Sequence, residues 1–196
     1  MPVKKIILAT VLGGLTLFLW GALSHTLIPF SKDALLGFNN EDAVTQAILA
    51  GAPKSGVYFM PYIVQRSEKM TEQQLKAAKQ AAEEKMQRGP FMLASIRLGE
   101  MGSFGNYLVI QFITDMISVL FVCLVLIKAK EISFKDRVAS TVFIGLAGFA
   151  ATSLPQWNWY AFSLAFTLAE LFDIVVGFFL AGLVIAKVLP APQGTA

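Results

Sequence analysis

Four apolar segments, each about as long as a membrane is thick, constrain this chain more than any other feature of its sequence. An α-helix needs roughly 20 apolar residues to cross about 30 Å of hydrocarbon. Four segments meet this length or come close to it: residues 6–28, 106–127, 138–154 and 159–186. Basic residues or prolines stand at most of their ends. The sequence therefore predicts an all-α membrane protein, built as a bundle of four transmembrane helices.

The composition supports the same class of protein. Of the 196 residues, 56% are hydrophobic and 15% are charged, and the mean hydropathy is +0.63. A soluble domain carries about 45–50% apolar and about 25% charged residues. The single cysteine, Cys123, excludes a disulfide framework and a cysteine-based zinc site within one chain, and the single histidine, His25, excludes a multi-histidine metal site. An ordinary soluble enzyme is a poor interpretation of such a chain.

Basic residues near the segment ends predict which side of the membrane each end occupies, because cytoplasmic loops carry an excess of Lys and Arg. With the N-terminus in the cytoplasm, that side carries seven cations against two acids, whereas the other side is nearly balanced. Both termini, including the tail 190–196, are therefore predicted to be cytoplasmic. The seven cations are Lys4, Lys5, Lys128, Lys130, Lys135, Arg137 and Lys187.

Three aromatic residues, Trp157, Trp159 and Tyr160, cluster between the third and fourth segments. In this topology they fall at the outer membrane interface, where amphipathic rings prefer to lie. We therefore expect them to act as interfacial anchors.

The first segment allows two interpretations. Two lysines, an apolar stretch and the small residues of Ala22-Leu23-Ser24 are typical of a cleaved signal peptide. The apolar stretch, however, is longer than the usual run of about 7–15 residues and continues through Leu27 and Ile28. The favoured prediction is an uncleaved transmembrane anchor over residues 1–29, ahead of helices 2–4 in residues 106–189.

The connection over residues 30–105 carries its own secondary-structure signals. Asn40 is a good N-cap, and Thr71 and Gln74 match a capping box at the start of a second helix. Two further stretches have strand composition. The sequence predicts a small α+β extracytoplasmic subdomain, too small to hold an independent core. Its helices and strands are expected over 41–50, 57–60, 72–88 and 91–98.

Small residues recur at helical spacing within the apolar segments. Lipid removes most of the hydrophobic drive for helix association, so close approach of small residues and hydrogen bonds hold such helices together. The third segment shows the pattern most clearly, because Thr141 and Thr152 share one face with two glycines. The glycines predicted to pack against neighbouring helices are Gly13, Gly21, Gly145, Gly148 and Gly177.

Three acidic residues lie inside the apolar segments without any Lys or Arg. A carboxylate at mid-membrane is unfavourable by a few kcal/mol. Counted along the helices, Asp115 and Asp173 fall at nearly the same depth, and Glu170 lies one turn further out. Gln111 is on the same stripe as Asp115, and His25 lies nearer the outer surface, reaching Glu170 only with a favourable helix stagger. These five residues form the predicted polar cluster.

Four arrangements would accommodate these acids. They are protonated and hydrogen-bonded within the bundle, or they line a water-filled proton or cation pathway. Alternatively, they hold a hard metal ion such as Mg, Ca or Mn, or they meet cations or donors on a partner subunit. The sequence leaves these four open and identifies neither a metal nor a cofactor.

Short motifs spread over most of the chain resemble an uncharacterised family of small bacterial four-span integral membrane proteins. The resemblance implies a bacterial cell-membrane protein and carries over no activity and no site. The motifs are Phe18-Leu19-Trp20-Gly21 with Ser24, His25 and Leu27-Ile28-Pro29, then Ser55-Gly56-Val57-Tyr58-Phe59, Arg88-Gly89-Pro90, Trp157-Asn158-Trp159-Tyr160, and Thr167-Leu168-Ala169 through Asp173 to Leu180-Ala181-Gly182-Leu183.

The chain carries no Gly-rich phosphate loop, no zincin or Walker pattern and no nucleophile elbow. Nucleic-acid binding has no support beyond a pI near 9.0.

We therefore predict a non-enzymatic accessory or scaffold subunit of a larger membrane complex, whose partners are the lipid bilayer and other membrane subunits or a second copy of itself. The alternative is a small oligomeric proton or cation transporter or channel that uses the acidic cluster. A membrane enzyme with a carboxylate-bound metal ranks last, because one histidine is few for such a site.

Overall fold

The computed structural model describes residues 3–28, 34–62, 70–129 and 132–189, and 74% of these residues are helical. Six helices and two strands follow one another in this part of the chain. They are α1 (Val3–Leu27), α2 (Glu41–Gly51), β1 (Gly56–Met60), α3 (Glu72–Arg88), β2 (Met92–Ile96), α4 (Phe104–Leu126), α5 (Phe134–Tyr160) and α6 (Leu164–Val188).

The chain divides into two compact units. The first, the helical unit, takes residues up to 36, 101–157 and 162 onwards, and the second, the small unit, takes residues 37–100 and 158–161. Helices α1, α4, α5 and α6, of 23 to 27 residues each, are long and apolar enough to cross a membrane. The expected four long apolar helices and the small sheet are therefore present.

Helix α1 packs against α4 and α6 through two adjacent glycines. A Cβ atom on Gly13 would lie 2.8 Å from Val119 Cγ1 and 3.0 Å from Ile185 Cγ1. A Cβ atom on Gly14 would lie 2.7 Å from Met116 Cγ. Because real Cβ atoms do not approach other atoms so closely, glycine at these positions permits the short distance between α1 and its two neighbours.

The order of contacts shows that α1 runs antiparallel to both partners. Beyond Gly13, which meets Val119, the next contact with α4 joins Phe18 to Phe112, with ring centroids 5.7 Å apart. On α6, Trp20 reaches Gly177, which precedes Ile185 in the chain. Helices α4 and α6 therefore run parallel to each other, and both end at the end of the helical unit where α1 begins.

The main apolar core lies in this same half of the helical unit. It combines side chains of α1, α4 and α6 with Leu189, the C-cap of α6. We call this region the closed half. Its buried residues are Ala9, Val119, Val122, Cys123, Leu126, Ala181, Ile185 and Leu189.

Helix α5 packs against α6 through a second pair of glycines. A Cβ atom on Gly145 of α5 would lie 2.7 Å from Phe178 Cγ, and one on Gly182 of α6 would lie 3.2 Å from Thr141 Cβ. The contacts again run in opposite order along the two helices. Helix α5 is therefore antiparallel to α6 and begins at the closed half.

The predicted bounds of the third segment, 138–154, are wrong at both ends, because α5 extends over Phe134–Tyr160. At its start, the Ser133 Oγ accepts a hydrogen bond from the Asp136 amide (3.2 Å) and donates one to the Asp136 carboxylate (2.6 Å). Near its end, Pro155 lies inside the helix. Since Pro155 removes only the hydrogen bond to the carbonyl of Ala151, the helix continues past it.

The predicted start of the fourth segment at residue 159 is also wrong. Trp159 belongs to the last turn of α5, and a turn follows in which Ala161 has a φ of +59°. Helix α6 starts after Ser163, whose hydroxyl accepts a hydrogen bond from the Phe166 amide at 3.1 Å. The predicted segment 159–186 is thus apolar throughout, although the chain changes direction within it, between the end of α5 and the start of α6.

The first two predicted segments agree with α1 and α4 to within a few residues. The expected end of the first segment at Pro29 and the tail 190–196 lie outside the described residues.

The small unit contains both helices and both strands expected from the sequence. Strands β1 and β2 pair antiparallel, with Gly56 opposite Ile96 and Met60 opposite Met92. The amide of Leu98 extends the pairing by donating to Ser55 Oγ at 2.9 Å. Further aromatic contacts and two buried side chains of α3 complete the unit: Phe59 with Phe91 and Tyr160, and Leu75 and Ala82.

Both predicted N-caps of the small unit are present. The Asn40 side chain accepts from the amide of Ala43 at 2.9 Å, which caps α2. At α3, the Gln74 amide donates to Thr71 Oγ1 (3.2 Å), and the Thr71 amide donates to Gln74 Oε1 (2.9 Å). This reciprocal pair is the capping box expected from the sequence.

Candidate functional site

A cleft of about 650 Å³ lies between α1, α4 and α6, in the half of the helical unit away from the apolar core. We call this region the open half. Its walls are largely apolar, with aromatic side chains from all three helices. Four of the five residues of the predicted polar cluster line it: His25, Gln111, Asp115 and Asp173.

Trp20 fixes α1 beside Asp173. The indole Nε1 donates a hydrogen bond to the backbone carbonyl of Asp173 at 3.2 Å. The same ring covers Gly177, where a Cβ atom would lie 3.0 Å from Trp20 Cδ1. A smaller residue at position 20 or a larger one at position 177 would change the stagger of α1 against α6. This contact therefore determines which acid of α6 faces the end of α1.

Asp173 is the most poorly satisfied polar group in the cleft. Its Oδ2 lies 3.8 Å from His25 Nε2, beyond hydrogen-bonding distance but within reach of an ion pair when the imidazole is protonated. Its Oδ1 is buried and accepts no hydrogen bond from the described residues. An unsatisfied buried acceptor is unfavourable by about 1–3 kcal/mol. A water molecule or a ligand that donates a hydrogen bond to Oδ1 would remove this penalty.

His25 differs from Asp173 in its surroundings. The imidazole side chain is 71% exposed, whereas the Asp173 side chain is 18% exposed. His25 lies two residues before the end of α1, so it is on the outer rim of the cleft. The sequence allowed His25 to reach Glu170 only with a favourable stagger of the helices, and in the structure His25 Nε2 lies beside Asp173 instead.

Asp115 lies on the opposite wall of the cleft, on α4. Its Oδ1 accepts a hydrogen bond from Gln111 Nε2 at 2.9 Å, one turn earlier on the same helix. The neighbouring hydroxyls of Thr114 and Ser118 donate to backbone carbonyls of α4 instead. Asp115 thus has one amide donor and no cation among the described residues.

The two aspartates lie well inside their helices. Asp115 is about 17 Å from either end of α4, and Asp173 is about 14 Å from the start of α6, at 1.5 Å per residue. Because Gly13 meets both Val119 of α4 and Ile185 of α6, these two residues lie at the same level. Asp115 precedes Val119 by four residues, whereas Asp173 precedes Ile185 by twelve, so the two carboxylates are offset by about 12 Å along the helices. The nearly equal depth expected from the sequence is therefore wrong.

Glu170 stands apart from the rest of the predicted cluster. It is half-buried on α6, three residues before Asp173, and it does not line the cleft. It makes no hydrogen bond or ion pair within the described part of the chain. Two of the three predicted acids therefore line the cleft.

The metal alternative gains no geometric support. Within residues 3–28, 34–62, 70–129 and 132–189, no three His, Cys, Asp or Glu side chains are close enough to hold one ion. Asp115, Asp173 and His25 share a cleft, but they do not form a ligand set.

The predicted packing glycines fall into two groups. Gly13, Gly145 and Gly177 each meet a neighbouring helix at 3.0 Å or less. Gly21 and Gly148, in contrast, have no atom of the described chain within 4 Å of a Cβ position, so the packing expected of them is not present. Gly21 lines the cleft and leaves it open.

The buried face of α5 differs from the predicted stripe. It follows a four-residue spacing that leaves Gly148 and Thr152 outside, because both are exposed. Two members of this face meet α6, because Gly145 lies against Phe178 and Thr141 lies against Gly182. The buried residues of the face are Thr141, Gly145, Phe149 and Ser153.

The predicted aromatic anchors all lie in the last turn of α5. Trp157, Trp159 and Tyr160 are exposed, and Trp159 is the most exposed of them at 69%. The ring of Tyr160 also packs edge-on against Phe59. The role of the three residues as interfacial anchors stays a prediction.

Arg137 has a role that sequence reasoning missed. It was counted as a cation near the membrane surface, but it is only 5% exposed. Its Nη1 donates to the carbonyl of Leu189 at 2.6 Å and its Nε donates to that of Ile132 at 3.3 Å. A cation at a helix C-terminus also interacts favourably with the helix dipole. Arg137 therefore caps α6 from α5, and no local sequence pattern indicates this pairing.

Comparison of the chain with protein-family models, with curated proteins and with solved structures finds no match.

Proposed function

We propose that this chain is a multi-pass membrane protein with both termini in the cytoplasm and residues 30–105 outside it, in the cell membrane of a bacterium. The alternating directions of α1, α4, α5 and α6 support this topology. Five lysines lie at the end where α1 and α5 begin and α4 and α6 end, which the positive-inside rule assigns to the cytoplasm. They are Lys4, Lys5, Lys128, Lys135 and Lys187.

Within that membrane, the function best supported is that of a non-enzymatic accessory subunit that binds a partner subunit through the open cleft. The observation that carries this proposal is the buried, unpaired Oδ1 of Asp173. A basic or amide side chain from a partner helix that enters the cleft would pair with the Asp173 carboxylate. Asp115, with its one amide donor, lines the same cleft about 12 Å further along the helices.

The outer faces of the long helices add support. Large apolar side chains on each of them are exposed in the single chain, such as Leu19, Ile110, Phe143 and Leu168. Lipid covers such surfaces in a bilayer, and so do the helices of a partner. A complex would therefore bury apolar area around the polar contact in the cleft.

The experiment is native mass spectrometry of the tagged protein, extracted from its own membrane in a mild detergent. The wild-type chain is expected in one defined complex with other polypeptides. Asp173→Leu removes the acceptor and should release the partner, with at least a tenfold loss of the complex. Glu170→Gln is the matched control, because Glu170 lies one turn away on α6 and outside the cleft. A wild-type chain that is always found alone would contradict the accessory role.

One observation favours a second function, the movement of protons or cations. Two carboxylates and an imidazole line one cleft, and His25 lies between the rim of the cleft and Asp173. Intramembrane acids in water-filled cavities commonly serve such pathways. If the purified chain conducts in reconstituted vesicles, Asp173→Asn should reduce the flux at least tenfold while the protein stays folded. Unchanged flux in this variant would remove the second candidate.

A further inference from the structure

A second, almost wholly apolar groove lies between α5 and α6, away from the cleft. It has a volume of about 420 Å³, and only one charged residue, Lys135, lines it. Its walls include Val138, Ala139 and Phe143 of α5 and Phe179 and Leu183 of α6. A linear hydrocarbon chain fits such a groove better than any polar ligand does.

Two lysines lie at the end of this groove nearest the helix termini. Lys135 is in the first turn of α5 and is exposed. Lys187 is in the last turn of α6, one turn beyond Leu183, so it lies on the same face of α6 as that groove residue. Long basic side chains of this kind place their ammonium groups at the polar surface of a membrane. The groove therefore has an apolar interior and a positively charged mouth.

The acid closest to this mouth in sequence reduces the positive charge but does not cancel it, because one carboxylate faces two ammonium groups. Asp136 accepts hydrogen bonds from the Ser133 hydroxyl and amide as part of the α5 cap, which engages its carboxylate with the backbone. Arg137, which follows it, is buried against the end of α6 and does not reach the surface. Lys135 and Lys187 are thus the two groups available to a ligand at this mouth in the described part of the chain.

We propose that this groove binds an anionic phospholipid of the surrounding bilayer, with an acyl chain between α5 and α6 and the phosphate at Lys135 and Lys187. Basic sites between helices on the cytoplasmic side of membrane proteins bind anionic headgroups in this way. The charge of the mouth selects an anionic lipid over a zwitterionic one. This inference rests on the proposed membrane placement, but it is independent of the partner contact in the cleft.

The test measures binding of phosphatidylglycerol and phosphatidylcholine to the delipidated protein by native mass spectrometry. Wild type should prefer phosphatidylglycerol. Because each lysine near a membrane surface contributes about a fivefold attraction for anionic lipid, the double variant Lys135→Gln/Lys187→Gln should bind it about 25-fold more weakly. Lys4→Gln/Lys5→Gln is the matched control. It removes the same number of charges from the same end of the helical unit, but from the start of α1 and not from the groove. The control should retain the preference.

A second pair of variants tests the groove itself. Ala139→Trp places a large side chain in the groove from its α5 wall and should reduce phosphatidylglycerol binding at least fivefold. Ala151→Trp, which is also exposed on α5 but lies outside the groove, should leave binding unchanged. Equal affinity of the wild type for the two lipids, or full binding in the double lysine variant, would overturn the proposal.

Failure of the membrane placement gives a different result. Alkaline carbonate washing of the native membranes should leave the chain in the pellet. A chain that stays there without headgroup preference overturns the lipid site alone, whereas a chain released by carbonate overturns the placement on which the site depends.

Discussion

The two halves of the helical unit use the same three helices, yet one is packed and the other is open. In the closed half, Gly13 and Gly14 bring α1 into direct contact with Val119, Met116 and Ile185. In the open half, the same helices diverge around a cleft that holds the two aspartates. Side-chain size along α1 accounts for the difference, because glycines are followed by aromatic residues within two turns.

The comparison indicates what each half contributes. The closed half contains the apolar core and the Arg137 cap, which stabilise the unit. One buried hydroxyl of the closed half, that of Thr10, also has no hydrogen-bond partner among the described residues. In the open half, the buried oxygen without a donor belongs to a carboxylate, Asp173 Oδ1, and destabilises this half. Proteins retain such groups where function requires them. We therefore expect substitutions in the closed half to reduce stability and substitutions in the open half to affect binding first.

The largest loss of stability should come from a bulky side chain at the glycine contact between α1 and α4. A Cβ atom on Gly14 would lie 2.9 Å from the backbone Cα of Met116, so Gly14→Leu forces α1 away from α4. We expect a loss of about 3 kcal/mol in the free energy of unfolding, measured by thermal unfolding in a mild detergent. Gly21→Leu is the control on the same helix, since position 21 has open space. Equal destabilisation by both substitutions would contradict the division into two halves.

A smaller loss should follow removal of the cap that joins α5 to α6. Arg137→Met keeps the length of the side chain but leaves the carbonyl of Leu189 without its donor. The expected loss is about 2 kcal/mol in the free energy of unfolding, since the hydrogen bond has a charged donor. Lys135→Met, at an exposed position two residues earlier, is the matched control and should change stability much less. A wild-type unfolding temperature for Arg137→Met would show that the cap is dispensable.

The smallest of these effects is expected at the border between the halves. Trp20→Phe keeps an aromatic ring over Gly177 but loses the hydrogen bond to the carbonyl of Asp173. The loss should be about 1 kcal/mol, measured in the same unfolding assay. Trp159→Phe, at an exposed ring, serves as its control. If the stagger of α1 depends on this bond, Trp20→Phe also weakens the proposed partner binding, which the control leaves unchanged.

The sequence predicts the helical framework because segment length and hydropathy are local properties. It fails at the ends of α5, where Lys135, Asp136 and Arg137 lower the hydropathy of a turn that is nevertheless helical. The pair Ser133 and Asp136 was the available signal, because it has the spacing of a capping box. Ser163 was the corresponding signal for the start of α6.

The cleft was predictable only in part. Helical spacing correctly placed Gln111 and Asp115 on one face, since that depends on a single helix. Which acid lies beside His25 depends on the stagger between α1 and α6. The hydrogen bond from Trp20 to the carbonyl of Asp173, 153 residues later in the chain, holds this stagger. The burial of Arg137 is equally non-local. Contacts of this kind have no signature in one sequence.

The central position of α1 has a consequence for how the chain is made. Residues of α1 leave the ribosome before those of α6, and Trp20 and the Asp173 carbonyl are 153 residues apart. At a synthesis rate of about 5–20 residues per second, Asp173 of α6 is added roughly 8 to 30 s after Trp20 of α1. During that interval the glycine face of α1 has no α6 to cover it. A nascent chain stalled before α6 therefore leaves the side of Gly13 that meets Ile185 uncovered.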